Sequence, residues 1–101
     1  MIKTLAKLDD QGRVYLPVPF RNAYGVSGNS FLEICYRKHS ELVEHQFYSG
    51  IAEVDSAFRV LIPWTFRKYY GLGKGDFLDF ICRIPLETAI DKALENLVVL
   101  D

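Results

Sequence analysis

The chain contains an internal repeat. When the sequence is shifted by 46 positions against itself, residues 5–37 align with residues 51–83 without a gap, and 12 of the 33 aligned pairs are identical. Similarity at one fixed period is typical of proteins that use the same structural unit more than once. We therefore interpret the 101 residues as a single domain with repeat one at 1–49, repeat two at 50–84 and a C-terminal segment at 85–101.

Repeat one predicts two strands, a short helix and a third strand. The first strand ends at a tight turn, 9–12, in which Gly12 can supply a positive φ. The second strand, 13–16, ends at Pro17, which has no N–H to donate to a sheet. A helix over 19–24 is followed by Gly25, which suits the left-handed position after a helix. Aromatic and branched residues then predict a strand over 31–37.

Repeat two predicts the same order, with strands at 51–55, 58–62 and 77–83 and a helix at 64–70. Phe58 occupies the position of Gly12, so we expect the second hairpin turn to differ from the first. A fourth strand is predicted at 42–48. After Pro85, apolar residues at helical spacing predict an amphipathic helix over 86–97, with 97–100 as the candidate last strand.

Composition restricts the class of protein. Half of the residues are hydrophobic, which favours a folded core over disorder. Two cysteines are too few for a disulfide framework, and both lie in apolar runs, so they are expected to pack in the core. No apolar run is long enough to span a membrane and no signal peptide is visible, which predicts a cytoplasmic protein. We find no nucleophile with a base and no metal-ligand spacing, so we expect neither an enzyme nor a cofactor.

The distribution of charge keeps nucleic acid open as a partner. The net charge of −1 argues against it. Residues 86–101, however, carry Lys92 against four acidic residues, so the rest of the chain can still present a basic face.

A motif in repeat one resembles the AbrB/MazE/SpoVT family of DNA-binding domains. It reads Lys7-x-Asp9-x-x-Gly12-Arg13-Val14-x-Leu16-Pro17-x-x-Phe20-Arg21-x-x-x-Gly25-Val26. Two such units in one chain resemble the double arrangement of the MraZ proteins. The resemblance implies a mainly β protein with short helices, folded as a swapped-hairpin (cradle-loop) barrel from two tandem ββαβ repeats plus a C-terminal amphipathic helix. It also implies a transcriptional regulator that binds double-stranded DNA, and the family includes antitoxins.

In this family, basic residues on the first hairpin and at the start of the helix meet DNA. Carried over by position, the resemblance implies a DNA-binding set of Lys7, Arg13, Arg21, Asn22, Arg59, Arg67 and Lys68. Arginine suits the task because its planar fork reaches phosphate or guanine with two hydrogen bonds. Alternatively, Arg13 and Arg59 form structural salt bridges with Asp9 and Asp55, and those two aspartates organise the turns.

Several residues depart from the family pattern and support a second hypothesis. Glu53 stands at the position of Lys7, Asn22 replaces a frequent arginine, and Phe58 replaces a glycine. Net acidity, Glu53 and Phe58 favour a protein-interaction or adaptor barrel that has lost DNA binding, whereas Asn22 could still read adenine. Residues 86–97 would bind a protein partner or serve self-association under either hypothesis.

Overall fold

The computed structural model describes residues 2–84, and within them the chain is mainly β with two short helices. The elements are β1 (Ile2–Lys7), β2 (Arg13–Tyr15), α1 (Val18–Tyr24), β3 (Phe31–Lys38), β4 (Tyr48–Glu53), β5 (Arg59–Leu61), α2 (Trp64–Tyr70) and β6 (Phe77–Arg83). This order confirms a mainly β fold with short helices. The predicted helix at 86–97 and the candidate strand at 97–100 lie outside the described residues.

The strands form two antiparallel sheets. One sheet has four strands in the order β1-β6-β3-β4, and the other consists of β2 and β5. Both sheets therefore combine strands from the two repeats. Within the described residues the strands do not close into one continuous barrel, and the swapped-hairpin arrangement stays a prediction.

The strand pairing follows the same 46-residue shift as the sequence. Lys7 pairs with Phe77, and the corresponding shifted residues, Glu53 and Phe31, also pair. Equivalent residues of the two repeats face each other at two places, Val14 with Val60 and Cys35 with Ile81. An approximate two-fold axis therefore relates the repeats and passes through both sheets.

The core draws apolar side chains from both repeats. In β3 and β6 every second side chain is buried, as expected for a sheet with one face on the core. The largest fully buried side chains include Phe20 from α1 and Phe80 from β6. Both helices end at a glycine in the left-handed conformation, Gly25 at φ 60° and Gly71 at φ 63°, which confirms the predicted helix ends.

The second hairpin turn has the same conformation as the first, so the expectation that it differs is wrong. Gly12 has φ 80° and Phe58 has φ 60°. The N–H of Gly12 donates to the carbonyl of Asp9 at 3.2 Å, and the N–H of Phe58 donates to the carbonyl of Asp55 at 3.1 Å. A phenylalanine in this region costs about 1–2 kcal/mol. The Arg21 guanidinium lies 4.7 Å from the centre of the Phe58 ring, and this contact offsets part of that cost.

We expect glycine to be better tolerated than alanine at position 58. Phe58→Ala loses the ring and keeps the steric cost of the positive φ. Phe58→Gly also loses the ring, but glycine adopts a positive φ without that cost. Phe58→Gly should therefore be more stable than Phe58→Ala by about 1 kcal/mol in urea unfolding.

The matched control is Leu61, which lies in β5 without a positive φ. There alanine should be more stable than glycine, the usual order in a strand. If the Phe58→Ala variant is as stable as the Phe58→Gly variant, or more stable, the turn stores no such strain.

The predicted fourth strand at 42–48 is wrong. Residues 41–47 contain no strand, and β4 begins at Tyr48, three residues before the strand predicted at 51–55. The Arg37 side chain organises the segment instead. Its guanidinium donates to the Glu44 carboxylate at 3.2 Å and to the His45 carbonyl at 3.4 Å, and it lies 4.3 Å from the centre of the Phe47 ring.

Candidate nucleic-acid interface

The two-stranded sheet of β2 and β5 forms a short ribbon with one buried and one outward side. Val14 and Val60 are fully buried beneath it. The register pairs Arg13 with Leu61 and Tyr15 with Arg59. Because side chains alternate along a strand, these four residues share the outward side, which we call the ribbon face. The two-fold relation places Arg13 and Arg59 at diagonally opposite corners of the ribbon face.

Each ribbon arginine is held by an aspartate of its own turn. Asp9 accepts hydrogen bonds from the backbone N–H groups of Gln11 at 2.9 Å and Arg13 at 2.8 Å, and from the Arg13 Nε at 2.8 Å. Asp55 accepts from Ala57, from the backbone of Arg59 and from the Arg59 Nε at 2.9, 2.9 and 2.8 Å. The structure thus shows the salt bridges that the sequence left as an alternative, and both aspartates organise their turns.

These ion pairs use only part of each guanidinium. Both bonds go through Nε, and no hydrogen bond within residues 2–84 involves the Nη atoms of Arg13 or Arg59. The side chains of the two arginines are about equally exposed, at 23% and 22%. The Nη groups therefore remain available as donors in a fixed orientation.

The hydrogen bonds also set the acidity of the two aspartates. Burial raises the pKa of Asp9, but the hydrogen bonds from the backbone and side chain of Arg13 outweigh it and leave the pKa below its ordinary value. Asp55 has a lowered pKa through the same balance with Arg59. The Asp55 carboxylate in turn raises the pKa of Arg59.

We expect the stability of the chain to decrease in acid because of these aspartates. A carboxylate with a lowered folded pKa contributes stability above its unfolded pKa of about 3.9, and this contribution is lost as the pH falls through the folded pKa. The urea midpoint should change little between about pH 7 and 5 and fall below about pH 4.

The variant Asp9→Asn/Asp55→Asn should have a smaller acid-dependent loss of stability than the wild type. Part of the loss should remain, since Glu33 and Asp79 also have lowered pKa values. Identical pH profiles for the variant and the wild type would contradict the assignment.

The helix arginines pack on the hairpin turns of the opposite repeat. Arg67 of repeat two donates from Nε to the carbonyl of Ile62 at 2.9 Å and covers Gly12, where an added Cβ would lie 2.2 Å from its Cζ. Arg21 of repeat one stacks on Phe58 of repeat two. The structure therefore places Arg21 and Arg67 in contacts between the repeats and not on the ribbon face.

The remaining predicted residues surround the ribbon without joining it. Lys7 is exposed at the end of β1, with its Nζ 6.0 Å from the centre of the Phe77 ring. Asn22 and Lys68 are exposed at equivalent positions of α1 and α2. The sequence-based set omitted Tyr15 and Leu61, which are 59% and 54% exposed on the ribbon face. The alternation of side chains along each strand could have identified both.

Two features that the sequence did not predict, a metal-ligand cluster and a membrane-spanning helix, are also not seen in the described residues. Among residues 2–84, no group of three His, Cys, Asp or Glu side chains is placed to hold a metal ion. In that same part of the chain, no helix combines the length and the apolar character needed to cross a membrane.

Comparisons with known proteins show a shared fold. No family model matches the chain, and no curated protein matches it. The chain is similar to the solution structure of PHS018 from Pyrococcus horikoshii, with a TM-score of 0.66 and 24% sequence identity over 80% of this chain and 87% of that chain. At this identity the likeness concerns the fold alone.

Proposed function

We propose that the chain is a DNA-binding transcriptional regulator of the AbrB type whose ribbon face contacts the duplex. The observation that carries the proposal is the pair of equivalent arginines, Arg13 and Arg59, on the outward side of a two-stranded antiparallel ribbon. The major groove of B-DNA admits a ribbon of this kind, and several DNA-binding proteins use one. Arginine forks are the commonest readers of guanine and also bind phosphate.

The ion pairs with Asp9 and Asp55 are compatible with this function. Each aspartate binds Nε and leaves the two Nη groups free to donate to phosphate or guanine. Fixing a long side chain before binding also reduces the entropy lost when DNA is bound. The two carboxylates thus act as positioning groups for the arginines.

Contacts between the hairpins support the finer fold, a swapped-hairpin barrel. The N–H of Leu16 donates to the carbonyl of Phe58, and the N–H of Ile62 donates to the carbonyl of Gly12, both at 2.9 Å. Each bond joins the end of one hairpin to the turn of the other. An antitoxin-like role, implied by the sequence resemblance, and a cytoplasmic location, expected from the composition of the sequence, belong to the same proposal.

The dependence of DNA affinity on salt tests the proposal. If about five phosphates are contacted, the logarithm of the binding constant should fall with the logarithm of salt concentration at a slope of about −4.5. Fluorescence anisotropy with a labelled duplex from about 50 to 200 mM salt measures this slope. The absence of binding at the lowest salt, or a slope near zero, would refute the proposal.

A second candidate is a protein-interaction module, favoured by the apolar half of the ribbon face. Tyr15 and Leu61 are exposed there, and Trp64 and Tyr69 are exposed on α2. Tyrosine and tryptophan are enriched at protein interfaces. Apolar contacts release no counterions, so affinity based on them depends little on salt. This candidate predicts a protein complex that is insensitive to salt, is weakened by Leu61→Asp and forms without DNA.

A further inference from the structure

The two hairpins have matching backbones but different side chains. Their turns share one hydrogen-bond pattern, and the ribbon pairs Val14 with Val60 on the approximate two-fold axis. At equivalent positions around this axis, however, the residues differ in size, polarity or charge: Lys7 and Glu53, Gln11 and Ala57, Tyr15 and Leu61, Asn22 and Lys68. Rotating the molecule by half a turn would therefore restore the backbone but not the chemistry of the surface.

Even the two equivalent arginines have different neighbours. The Arg59 guanidinium lies 5.9 Å from the centre of the Tyr15 ring. Arg13 is paired instead with Leu61, which has no aromatic face. One arginine thus stands beside an aromatic ring with a hydroxyl, and the other beside an aliphatic side chain.

We infer that one chain reads a single non-palindromic DNA site in one fixed orientation. This inference rests on the proposed function. A protein with two identical halves favours a palindromic site because the symmetry of the site mirrors that of the protein. Here repeat one presents Gln11 and Tyr15, which can hydrogen-bond to base edges, whereas repeat two presents Leu61, which suits the methyl group of thymine.

The charges beside the ribbon strengthen the preference for one orientation on such a site. Reversing the protein on a bound sequence would bring Glu53 to the place of Lys7, next to phosphate, and Asn22 to the place of Lys68. If the two ends of a site differ in groove width or bending, these exchanged charges lower the affinity of the reversed orientation. This loss adds to the one caused by mismatched base contacts.

Cleavage from a tethered reagent tests the orientation. Duplexes selected from a randomised pool serve as the probe. The reagent is attached at Asp10→Cys or at Ser56→Cys, two exposed and equivalent turn positions, both with Cys35→Ser. Cys82 needs no substitution, since burial raises the pKa of its thiol to about 11 and keeps it unreactive at neutral pH. We expect the two tethers to cut opposite ends of the selected site. Equal cutting at both ends from either tether would overturn the inference.

Palindromic duplexes provide a second measurement. Joining each half of the selected site to its own inverted copy gives two palindromes. The wild type should bind both about tenfold more weakly than it binds the selected site. The variant Leu61→Tyr gives the two repeats the same outward residues on the ribbon face. For one of the palindromes, it should reduce the difference in affinity from the selected site. A palindrome that binds the wild type as tightly as the selected site would overturn the inference while leaving the proposed function intact. A pool from which no duplex is retained at low salt would instead refute the proposed function.

Discussion

Alanine in place of both Arg13 and Arg59 should raise the dissociation constant for duplex DNA about a hundredfold at 0.1 M salt. Each arginine on the ribbon face would lose a contact worth about 1–3 kcal/mol, and two such losses multiply. The slope of affinity against salt should also become less steep by about 2, because two phosphate-neutralising charges are gone. Anisotropy titrations at several salt concentrations measure both quantities, and circular dichroism verifies that the variant is folded.

The matched control removes two equivalent arginines from a different surface. Arg37 and Arg83 lie on the face of the four-stranded sheet that points away from the core, where they form ion pairs with Asp79 and Glu33. Arg37→Ala/Arg83→Ala changes the net charge by the same amount and likewise deprives carboxylates, here those of Glu33, Glu44 and Asp79, of their arginine partners. We expect the affinity to fall by no more than about threefold, through long-range attraction alone. Equal losses in the two double variants would mean that net charge, and not the ribbon face, determines binding.

Gly12→Ala should destabilise the chain by about 2–3 kcal/mol. Its φ of 80° costs a residue with a Cβ about 1–2 kcal/mol. The added Cβ would also lie 2.2 Å from the Arg67 Cζ, so the arginine must move and give up its hydrogen bond to Ile62, at a cost of about 1 kcal/mol. Urea unfolding of the two proteins at pH 7 measures the difference.

Two controls separate the backbone cost from the displacement of Arg67. Gly25 has φ 60° and no atom within 4 Å of an added Cβ, so Gly25→Ala should cost only about 1 kcal/mol. In an Arg67→Ala background, Gly12→Ala should likewise show the backbone cost alone, and the double-mutant cycle gives the coupling between the two positions. The packing of Arg67 on the turn would be refuted if Gly12→Ala cost no more than Gly25→Ala.

Much of the local structure could be predicted from the sequence because its signals are local. Pro17, Gly25 and the aromatic and branched residues of 31–37 mark where elements begin and end, and the structure places these elements accordingly. The Phe58 turn was mispredicted because a phenylalanine rarely adopts a positive φ. Asp55 nevertheless organises this turn as Asp9 organises the first. The segment 42–48 was misread as a strand because it follows an apparent turn at 38–40 and has apolar residues at both ends. Contacts with Arg37 hold it in an irregular path instead.

The candidate site was predictable to a similar degree. Arg13 and Arg59 lie on paired hairpins as the repeat suggested, and the aspartates that hold them are four residues away in sequence. The positions of Arg21 and Arg67 were not predictable, because each packs on a turn more than 30 residues away. Sequence spacing gives no information on such contacts between repeats.

Backbone amide shifts on addition of duplex DNA test most directly whether the ribbon face is the binding surface. The proposed function predicts that the largest changes fall in β2, β5 and their turns, at residues 9–15 and 55–61. Residues 33–37 and 79–83, on the far side of the four-stranded sheet, should change little. Shifts concentrated in those two segments, or no shifts at low salt, would contradict the account.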